Sequence, residues 1–429
     1  MSTTSPRAVS ARAVLTGMDR VGGWQPDFYR DLHRHPELSF QEHRTAGLVA
    51  DRLRDCGFEV HEGVGGTGVV GILRNGDGPS VLLRADMDAL PVREQTGLPY
   101  ASTETATDAD GKETPVMHAC GHDIHVSCLL GAATLLAEGR EHWSGTMIAL
   151  FQPAEELGTG AAAMVADGLA DLVGPVDVAL GQHVMPMPAG ALYTRPGPVL
   201  STAQSVRITV YGRGAHGSMP YAAIDPVVLA AMIVIRLQTV VSREVHPDEF
   251  AVLTVGSLQA GTKSNVIDDH AVLELNIRAY SAETKKLIMD SVRRIVIAEC
   301  QASGSPREPD FELHDGFPLT ENDADATERV RSAFNANFPA EAVRDLAPMT
   351  GSEDFSDIPT ALGAPYCYWV VGGIDAEIFA RAKAAGRVSQ DIPTNHSPFF
   401  APVLEPTLEL GTRGLAVAAL AWLGDPDGP

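Results

Sequence analysis

Up to about residue 200, short apolar runs alternate with amphipathic segments. The segment 40–57 has apolar positions at helical spacing and stops at Gly57, which predicts a helix. Apolar runs bounded by Gly, Pro or Asp are typical of strands that are buried on both faces of a sheet. Such runs lie at 68–73, 80–86, 146–152 and 177–184, and a second helix is predicted at about 123–138. This alternation predicts an α/β domain, in which functional groups commonly lie at strand ends.

Between residues 201 and 315 the order of the predicted elements changes. A strand at 204–212 precedes a helix at 225–243, with Asp225 as N-cap and Pro226 as the first helical residue. Two strands, a helix and a last strand follow, at 250–258, 271–280, 281–302 and 310–314. The order β-α-β-β-α-β is that of a ferredoxin-like domain. We therefore expect an inserted second domain, residues 201–315, within a discontinuous first domain formed by residues 1–200 and 316–429, which ends in an apolar helix near 406–423.

Composition narrows the range of partners. The 429 residues carry a net charge of −23, which disfavours binding to nucleic acid or to an anionic membrane. The N-terminus lacks the apolar run of a signal peptide, and the longest apolar stretches are shorter than a membrane span, so they are expected to be buried helices. The five cysteines are scattered without the spacing of a disulfide framework, which favours a reducing, cytoplasmic location.

Candidate metal ligands follow the apolar elements in four clusters. In "MHACGHDIH" (117–125), Cys120 and His122 lie two residues apart, so in an extended segment both face one side, and Gly121 permits a tight turn. The other three clusters are "FQPAEELG" with Glu155 and Glu156, "GQHVMP" with His183, and "TNHSPFF" with His396.

A count of coordination positions connects these clusters. Two four-coordinate ions offer about eight positions. A bridging Cys120 thiolate and a bridging water fill four, and one bond from each of four side chains fills the rest: His122, Glu156, His183 and His396. Glu155 then stays uncoordinated beside the bridging water, free to act as a base.

Other interpretations of these residues stay open at this point. Cys120 alone could be an inert buried thiol or the nucleophile of a cysteine hydrolase, but an i,i+2 pair points at a common ion rather than at each other. His125 is expected to be a structural partner, and Glu353 and Asp354 could be a helix N-cap with acidic residues of the first turn. The remaining residues of these types are expected to be core, packing or surface groups: Cys56, Cys128, Cys300, Cys367, His33, His35, His43 and His61.

Eight motifs occur in the order seen in the M20 metallopeptidase family, over about residues 28–423: "HRHPELSFQE", "LLRADMDALPV", "MHACGHDIH", "FQPAEELGTGA", "GAHGSMP", "NIRAY", "GSEDF" and "NHSPFF". The chain resembles the amidohydrolase branch of that family, with its hippurate, N-acyl-amino-acid and auxin-conjugate hydrolases. The resemblance implies a catalytic α/β domain with a central mixed sheet flanked by helices, and an inserted ferredoxin-like α+β lid. The lid is often a dimerisation domain, which implies a homo-oligomer, either a dimer or a tetramer.

The resemblance also assigns roles to individual residues. It gives the five ligands counted above, with Glu155 as general base and Asp88 orienting a ligand imidazole. On the lid it implies that His216 stabilises the oxyanion and that Asn265 and Arg278 grip the substrate carboxylate, so catalysis is expected to require closure. A polar insertion at 101–114 departs from the family pattern and is expected to be a surface loop.

The resulting hypothesis is a metal-dependent amidohydrolase that cleaves N-acyl-L-amino acids to a carboxylic acid and a free amino acid. Its cofactors are two divalent ions, with Zn²⁺ or Mn²⁺ favoured and Co²⁺ or Ni²⁺ compatible with the donors. The alternatives are a metallo-exopeptidase or dipeptidase of the same fold, and a metal-binding homologue without activity.

Overall fold

The computed structural model describes residues 6–424. The helices are α1 (Pro6–Leu15), α2 (Met18–Gly22), α3 (Gln25–Arg34), α4 (His43–Asp55), α5 (His122–Glu138), α6 (Gly160–Ala166), α7 (Leu169–Val173), α8 (Pro226–Arg243), α9 (Ala282–Ala302), α10 (Ala324–Asn337), α11 (Asp357–Leu362), α12 (Ala376–Ala384), α13 (Val388–Asp391) and α14 (Leu404–Leu423). Short 3₁₀ turns occupy Arg140–His142, Glu155–Leu157, Pro220–Ala222 and Ala340–Ala342.

The strands are β1 (Glu59–Val64), β2 (Gly68–Asn75), β3 (Ser80–Asp86), β4 (Thr105–Thr107), β5 (Glu113–Pro115), β6 (Gly145–Gln152), β7 (Val178–Pro188), β8 (Leu192–Thr194), β9 (Gly197–Leu200), β10 (Thr202–Tyr211), β11 (Ala215–His216), β12 (Ala251–Ala260), β13 (Val266–Ile267), β14 (His270–Ala279), β15 (Asp310–Phe317), β16 (Thr320–Asn322), β17 (Val343–Asp345) and β18 (Tyr366–Ile374).

The described residues divide into two compact units. Unit 1 comprises the chain up to Val199, Glu321–Ala347, and the chain from Asp354 onward. Unit 2 comprises Leu200–Thr320 and Pro348–Glu353.

Unit 1 is built on an eight-stranded mixed sheet in the order β1-β2-β6-β3-β7-β18-β8-β17. Its central strands β6, β3, β7 and β18 are mutually parallel, whereas β1 and β2 pair in antiparallel fashion at one edge. The central strands are buried on both faces, as their continuous apolar runs predict. A mixed α/β sheet flanked by helices is thus confirmed.

Two apolar helices form the centre of the unit 1 core. Helices α5 and α14 pack against each other and against β3 and β7. Both are buried along most of their length, in keeping with sequences that are apolar on all sides. The rigid packing of α5 matters for the site, because its first residue is His122.

Unit 2 contains a four-stranded antiparallel sheet in the order β12-β14-β10-β15, with α8 and α9 packed on one face. The chain order β-α-β-β-α-β is the one that the sequence predicts. The N-cap of α8 is also as predicted, since the Asp225 side chain accepts hydrogen bonds from the backbone N–H groups of Val227 and Val228.

Two expectations from the sequence need correction. Helix α8 is not a buried helix: one face packs in the core of unit 2, while Met232 is 45% and Ile235 64% exposed. By length and composition alone this helix, with mean hydropathy 1.5, is apolar enough to cross a membrane. The polar insertion at 101–114 lies at the surface as expected, but it is not an irregular loop, because it contains most of the β4–β5 hairpin, paired from Thr105 to Pro115.

Candidate metal centre

The site in unit 1 lies at the carboxyl ends of β3 and β6, beside the middle of the neighbouring strand β7. Asp86, the last residue of β3, pairs in register with Gln152, the last residue of β6. On the other side of β3, Arg84 pairs with Gly181 of β7, so His183, two residues on, is level with Asp86. Because the strands are parallel, the residues that follow β3 and β6 meet His183 at one edge of the sheet.

The turn before α5 brings Cys120 and His122 to that edge. Gly121 between them has φ 83° and ψ 23°, a left-handed conformation that favours glycine. A Cβ atom there would lie 2.4 Å from Cγ1 of Val184, so the turn also needs the space. Cys120 Sγ lies 3.5 Å from His183 Nε2, so the thiol and the imidazole are close enough to contact the same ion.

Three sets of donor atoms each fall within 4.8 Å of one another: Cys120, His122 and His183; Cys120, Glu156 and His396; and His122, Glu155 and Glu156. Cys120, His122 and Glu156 each belong to two of these sets. His122 Nε2 lies 3.8 Å from an oxygen of Glu155 and 3.8 Å from an oxygen of Glu156. The structure therefore brings together all five predicted ligands and the predicted base.

Asp88 holds several parts of the site in place. Its Oδ1 lies 3.2 Å from His122 Nδ1 and accepts a hydrogen bond from the Glu155 N–H, at 3.1 Å. Its Oδ2 accepts bonds from the Ser39 hydroxyl and the Glu156 N–H, at 2.7 and 3.0 Å. With Nδ1 engaged, His122 presents Nε2 to the other donors, as imidazole ligands require.

The segment that carries His396 is tied to the same edge by its backbone. The His396 N–H donates to the Ala119 carbonyl at 2.8 Å, and its φ of 70° is unusual for a residue with a side chain. Asn395 donates to the carbonyls of Cys120 and Val184, at 3.2 Å each. His396 Nε2 then lies 3.3 Å from Glu156 Oε2.

The residues fit divalent cations. Among the described residues, His122 Nε2 and Glu156 Oε1 are buried polar atoms without a hydrogen-bond partner. A buried polar atom without a partner destabilises the fold unless a bound ligand, such as a metal ion, interacts with it. A thiol, three imidazoles and a carboxylate are donors of the kind that bind zinc and neighbouring transition metals.

Burial sets the protonation of the donors. It raises the pKa of the Cys120 thiol well above its usual value and the pKa of Glu156 to about 8. Burial opposes protonation of His122 as well, but Asp86 and Asp88 raise the pKa of that imidazole well above its usual value. Because a cation binds the deprotonated donors, its binding must release protons from this site.

Two buried residues beside the ligands were not identified as site residues from the sequence. Asp86 Oδ1 lies 2.5 Å from Nδ1 of His125, whose Nε2 accepts a hydrogen bond from the Val184 N–H at 2.8 Å. His125 is thus the structural partner that the sequence predicts. Arg84 donates to Asp86 Oδ2 at 2.5 Å and to Gln152 at 2.9 Å. The signal for Arg84 was a charged residue inside an otherwise apolar strand.

Two further groups have more specific roles than the sequence indicated. Asp354 is buried in unit 1, where it accepts hydrogen bonds from Gln152 at 2.6 Å and from the Ala161 N–H at 3.0 Å. His33 is a buried packing residue held between two carboxylates, with Nδ1 2.7 Å from Asp123 and Nε2 3.1 Å from Glu94.

The predicted lid residues belong to unit 2. His216 is exposed on β11, which pairs with β13, and the Gly217 N–H donates to the Asn265 carbonyl at 2.8 Å. Strand β14 begins at His270, three residues after β13 ends. Arg278 lies near the other end of β14, eight residues beyond His270, which is about 26 Å along the strand at about 3.3 Å per residue. Within unit 2, therefore, His216 and Asn265 lie together and Arg278 lies apart from them.

The sequence profile of the Peptidase family M20/M25/M40 matches residues 82–385. "Thermostable carboxypeptidase 2" of Saccharolobus solfataricus is 36% identical over 407 residues, which cover 94% of this chain and 96% of that protein. "Hippurate hydrolase" of Campylobacter jejuni is 38% identical over 76% of this chain and 82% of that protein. "N-acetyl-L-cysteine deacetylase" of Bacillus subtilis is 37% identical over 76% of this chain and 75% of that protein.

A solved structure agrees with these relatives. The Bacillus subtilis YXEP protein, described as a dinuclear metal binding peptidase from the M20 family, superposes with a TM-score of 0.75 at 27% identity. The superposition covers 94% of this chain and 98% of that one.

Proposed function

The chain belongs to the peptidase family M20/M25/M40 and is a metal-dependent amidohydrolase, and from this premise we propose that it hydrolyses N-acyl-L-amino acids to a carboxylic acid and a free amino acid. The observation that carries the proposal is the position of Glu155. Its carboxylate lies 3.8 Å from His122 Nε2, beside five potential ligands, on a turn that follows a rigid buried strand.

The acid–base work falls to Glu155. When bound, two divalent ions lower the pKa of water and polarise a carbonyl oxygen. Glu155 takes the proton from the attacking water and returns it to the nitrogen of the leaving amine. The Glu155 N–H donates to Asp88 Oδ1, which fixes the backbone of Glu155. The Glu155 carboxylate therefore keeps its position during both proton transfers.

Three residues of unit 2 are proposed to act on the substrate. The Ser218 N–H donates to His216 Nδ1 at 3.1 Å, so the neutral imidazole carries its proton on Nε2 and can donate it to an oxyanion. Arg278 donates to the Thr350 carbonyl at 2.7 Å and to the Ser352 hydroxyl at 3.1 Å, which orients the guanidinium for a carboxylate. Asn265 lies beside His216 and apart from Arg278, so it is proposed to contact the substrate together with His216 rather than to share that carboxylate.

The metals, location and assembly are also proposals. Two ions of Zn²⁺ or Mn²⁺ suit a donor set with one thiolate, three imidazoles and a carboxylate. All five cysteines are free, which supports a cytoplasmic location. We propose a homodimer through unit 2, because α8 carries exposed apolar side chains at helical spacing: Val228, Met232 and Ile235.

The direct test is metal removal followed by reconstitution. A chelator should abolish hydrolysis of acetyl, benzoyl, indoleacetyl and long-chain acyl amino acids, and Mn²⁺ or Zn²⁺ should restore it. Activity that survives complete metal removal would contradict the proposal. Hydrolysis of none of these compounds by the reconstituted protein would indicate a homologue that binds metal without turnover.

Glu155→Gln separates the base from the ligands. The amide cannot accept the proton, so kcat should fall by about 10²–10⁴-fold while metal content stays at two ions per chain. Cys120→Ser is the matched comparison: it should lower metal content and activity together. If Cys120→Ser instead kept both ions and lost activity, a cysteine nucleophile would be favoured.

A carboxypeptidase is the second candidate, and the thermostable carboxypeptidase of Saccharolobus solfataricus favours it. Both reactions release a C-terminal amino acid from an amide, so they differ in what precedes the scissile bond. Matched substrates decide: a dipeptide with a free amino group against the same dipeptide in acylated form, and against the simple N-acyl amino acid. A higher kcat/KM for the free dipeptide would select the peptidase.

A further inference from the structure

Most of the exposed large apolar residues of unit 1 are close in sequence to residues of the metal centre. In the part of unit 1 that the structure describes, four large hydrophobic residues are exposed: Phe40, Leu157, Ile378 and Phe399. Three of the four lie within three residues of a site contact in the sequence, namely Ser39, Glu156 or His396. Single exposed hydrophobic residues are ordinary on a protein surface, but a group on separate segments of one site is typical of a ligand-binding surface.

Phe40 is held beside the site from both sides. Ser39, before it, donates its hydroxyl to Asp88 at 2.7 Å. Glu42, after it, is fully buried and accepts hydrogen bonds from the Thr67 hydroxyl and from the Ala154 N–H, the latter at 2.9 Å. Phe40 itself has φ 61°, a left-handed conformation that is rare for a bulky residue. The residue is 37% exposed.

Leu157 and Phe399 are equally fixed and more exposed. Leu157 ends the 3₁₀ turn that carries Glu155, and this turn is closed by the bond from the Gly158 N–H to the Glu155 carbonyl at 2.7 Å. Phe399 follows Pro398, whose carbonyl accepts from the Gln95 N–H at 2.8 Å. The two side chains are 52% and 53% exposed, although each sits on a segment whose backbone is tied to its surroundings.

We propose that Phe40, Leu157 and Phe399 form an apolar rim that binds the acyl half of the substrate and selects acyl groups larger than acetyl. The inference rests on the proposed function and adds the substrate class. The amino-acid half ends in a carboxylate, which needs hydrogen-bond donors and positive charge, whereas the acyl half is uncharged. Contact between these exposed apolar side chains and an uncharged hydrocarbon or aromatic group is favourable, because it removes both apolar surfaces from water.

The test compares chain lengths on one amino acid. The metal-reconstituted enzyme should show a higher kcat/KM for octanoyl and benzoyl than for acetyl derivatives. The double variant Leu157→Ala/Phe399→Ala should lower the octanoyl-to-acetyl ratio of kcat/KM by about tenfold or more. Phe399→Leu should retain most of the ratio, because it keeps an apolar side chain.

Ile378→Ala is the control, since Ile378 is 46% exposed on α12, a helix that carries no proposed site residue. It should leave the ratio unchanged. Equal losses on acetyl and octanoyl substrates in the double variant would overturn the proposal, and so would a wild-type enzyme without chain-length preference. Melting temperature and metal content, measured alongside, identify a variant that has simply lost its fold.

A binding measurement separates this proposal from the proposed function. Calorimetry with acetate and octanoate needs no turnover, and octanoate should bind the metal-loaded protein at least about tenfold more tightly. If no N-acyl amino acid is cleaved but octanoate binding is tight and is lost in the double variant, the function fails and the rim stands. If acetate and octanoate bind equally, the rim fails whatever the enzyme cleaves.

Discussion

A single carboxylate, Asp88, shows how the chemistry of this site depends on one residue. Its two oxygens contact four donors that belong to Ser39, His122, Glu155 and Glu156, so the ligand, the base and their connecting turn share one support. Although burial opposes ionisation, the bonds from His122 and Ser39 lower the pKa of Asp88 below its usual value. The group therefore stays ionised at neutral pH and accepts at both oxygens.

Asp88→Asn should weaken metal binding by about 10–100-fold, because the new NH₂ group faces N–H and O–H donors instead of accepting from them. The measurement is the competition of a chelator for the bound ions. Asp51→Asn is the matched control, on a side chain that is 80% exposed on α4. Unchanged metal affinity in Asp88→Asn would show that the carboxylate does not support the site.

His33 gives a pH prediction with a defined sign. Burial opposes its protonation, but Asp123 and Glu94 raise the pKa of His33 to about 9 from a usual value of 6.5. A raised pKa means that protonated His33 stabilises the fold fully below about pH 6.5, and that this stabilisation is lost as pH rises through 9. The shift corresponds to on the order of 3 kcal/mol of the free energy of unfolding.

We therefore expect His33→Gln to be less stable than wild type at pH 6 and to approach it at pH 9.5. Urea unfolding of both proteins at the two pH values checks this, and the difference between the proteins removes the effect of other titrating groups. A difference that stays constant between pH 6 and pH 9.5 would contradict the raised pKa.

At the scale of elements, the turn into α5 determines whether Cys120 and His122 can meet. Gly121→Ala combines a left-handed backbone, costing about 1–2 kcal/mol, with a Cβ atom 2.4 Å from Val184 Cγ1. It should lower both the melting temperature and the metal affinity. Gly168→Ala is a close control, because Gly168 has φ 87° but no atom within 4 Å of the added Cβ.

The pair isolates the contact from the strain. Gly168→Ala should lose stability from strain alone and keep its metal affinity. Shortening the neighbouring side chain, in Gly121→Ala/Val184→Ala, should recover part of the lost metal affinity. If Gly121→Ala binds metal as tightly as wild type, the turn is not what positions the two ligands.

The elements that carry the ligands could be predicted from the sequence because their signals are local. β3, β6 and β7 are continuous apolar runs, and the polar residues of the site follow or interrupt them. The long-range partners could not be predicted in this way. Gln152 donates a hydrogen bond to Asp354, which is 202 residues away in the sequence, and no local pattern predicts that hydrogen bond. No individual strand was predicted between residue 316 and the apolar helix near 406–423, although the central strand β18 lies there.

Helix α8 marks a different boundary of what sequence patterns can show. An apolar helix has the same composition whether its second face is covered by its own chain, by a membrane or by another copy. The structure shows that Leu229, Ile233 and Leu237 face the core of unit 2 while Met232 and Ile235 do not. The sequence pattern predicted the helix and its N-cap. It could not predict what covers the second apolar face, because that partner lies outside unit 2.

At the scale of the whole molecule, charge limits what can cover that face. With 55 acidic against 32 basic residues, the chain is repelled by anionic lipid surfaces, so a membrane is a poor partner for α8. A second copy is repelled as well, but salt screens this long-range repulsion between net charges. The apolar contact at short range is not weakened by salt. The dimer should accordingly be weaker at low ionic strength.

The dimer prediction can be tested by placing charge in the exposed stripe. Met232→Glu/Ile235→Glu should give a monomer of 45.5 kDa by light scattering, where wild type should give about twice that mass, because a buried unpaired carboxylate opposes association. Both side chains are exposed in the single chain, so the fold of unit 2 should survive, which circular dichroism checks. Ile378→Glu, on unit 1, is the control and should remain a dimer. A wild-type mass of 45.5 kDa at micromolar concentration would contradict the prediction, and the exposed stripe would then need another occupant.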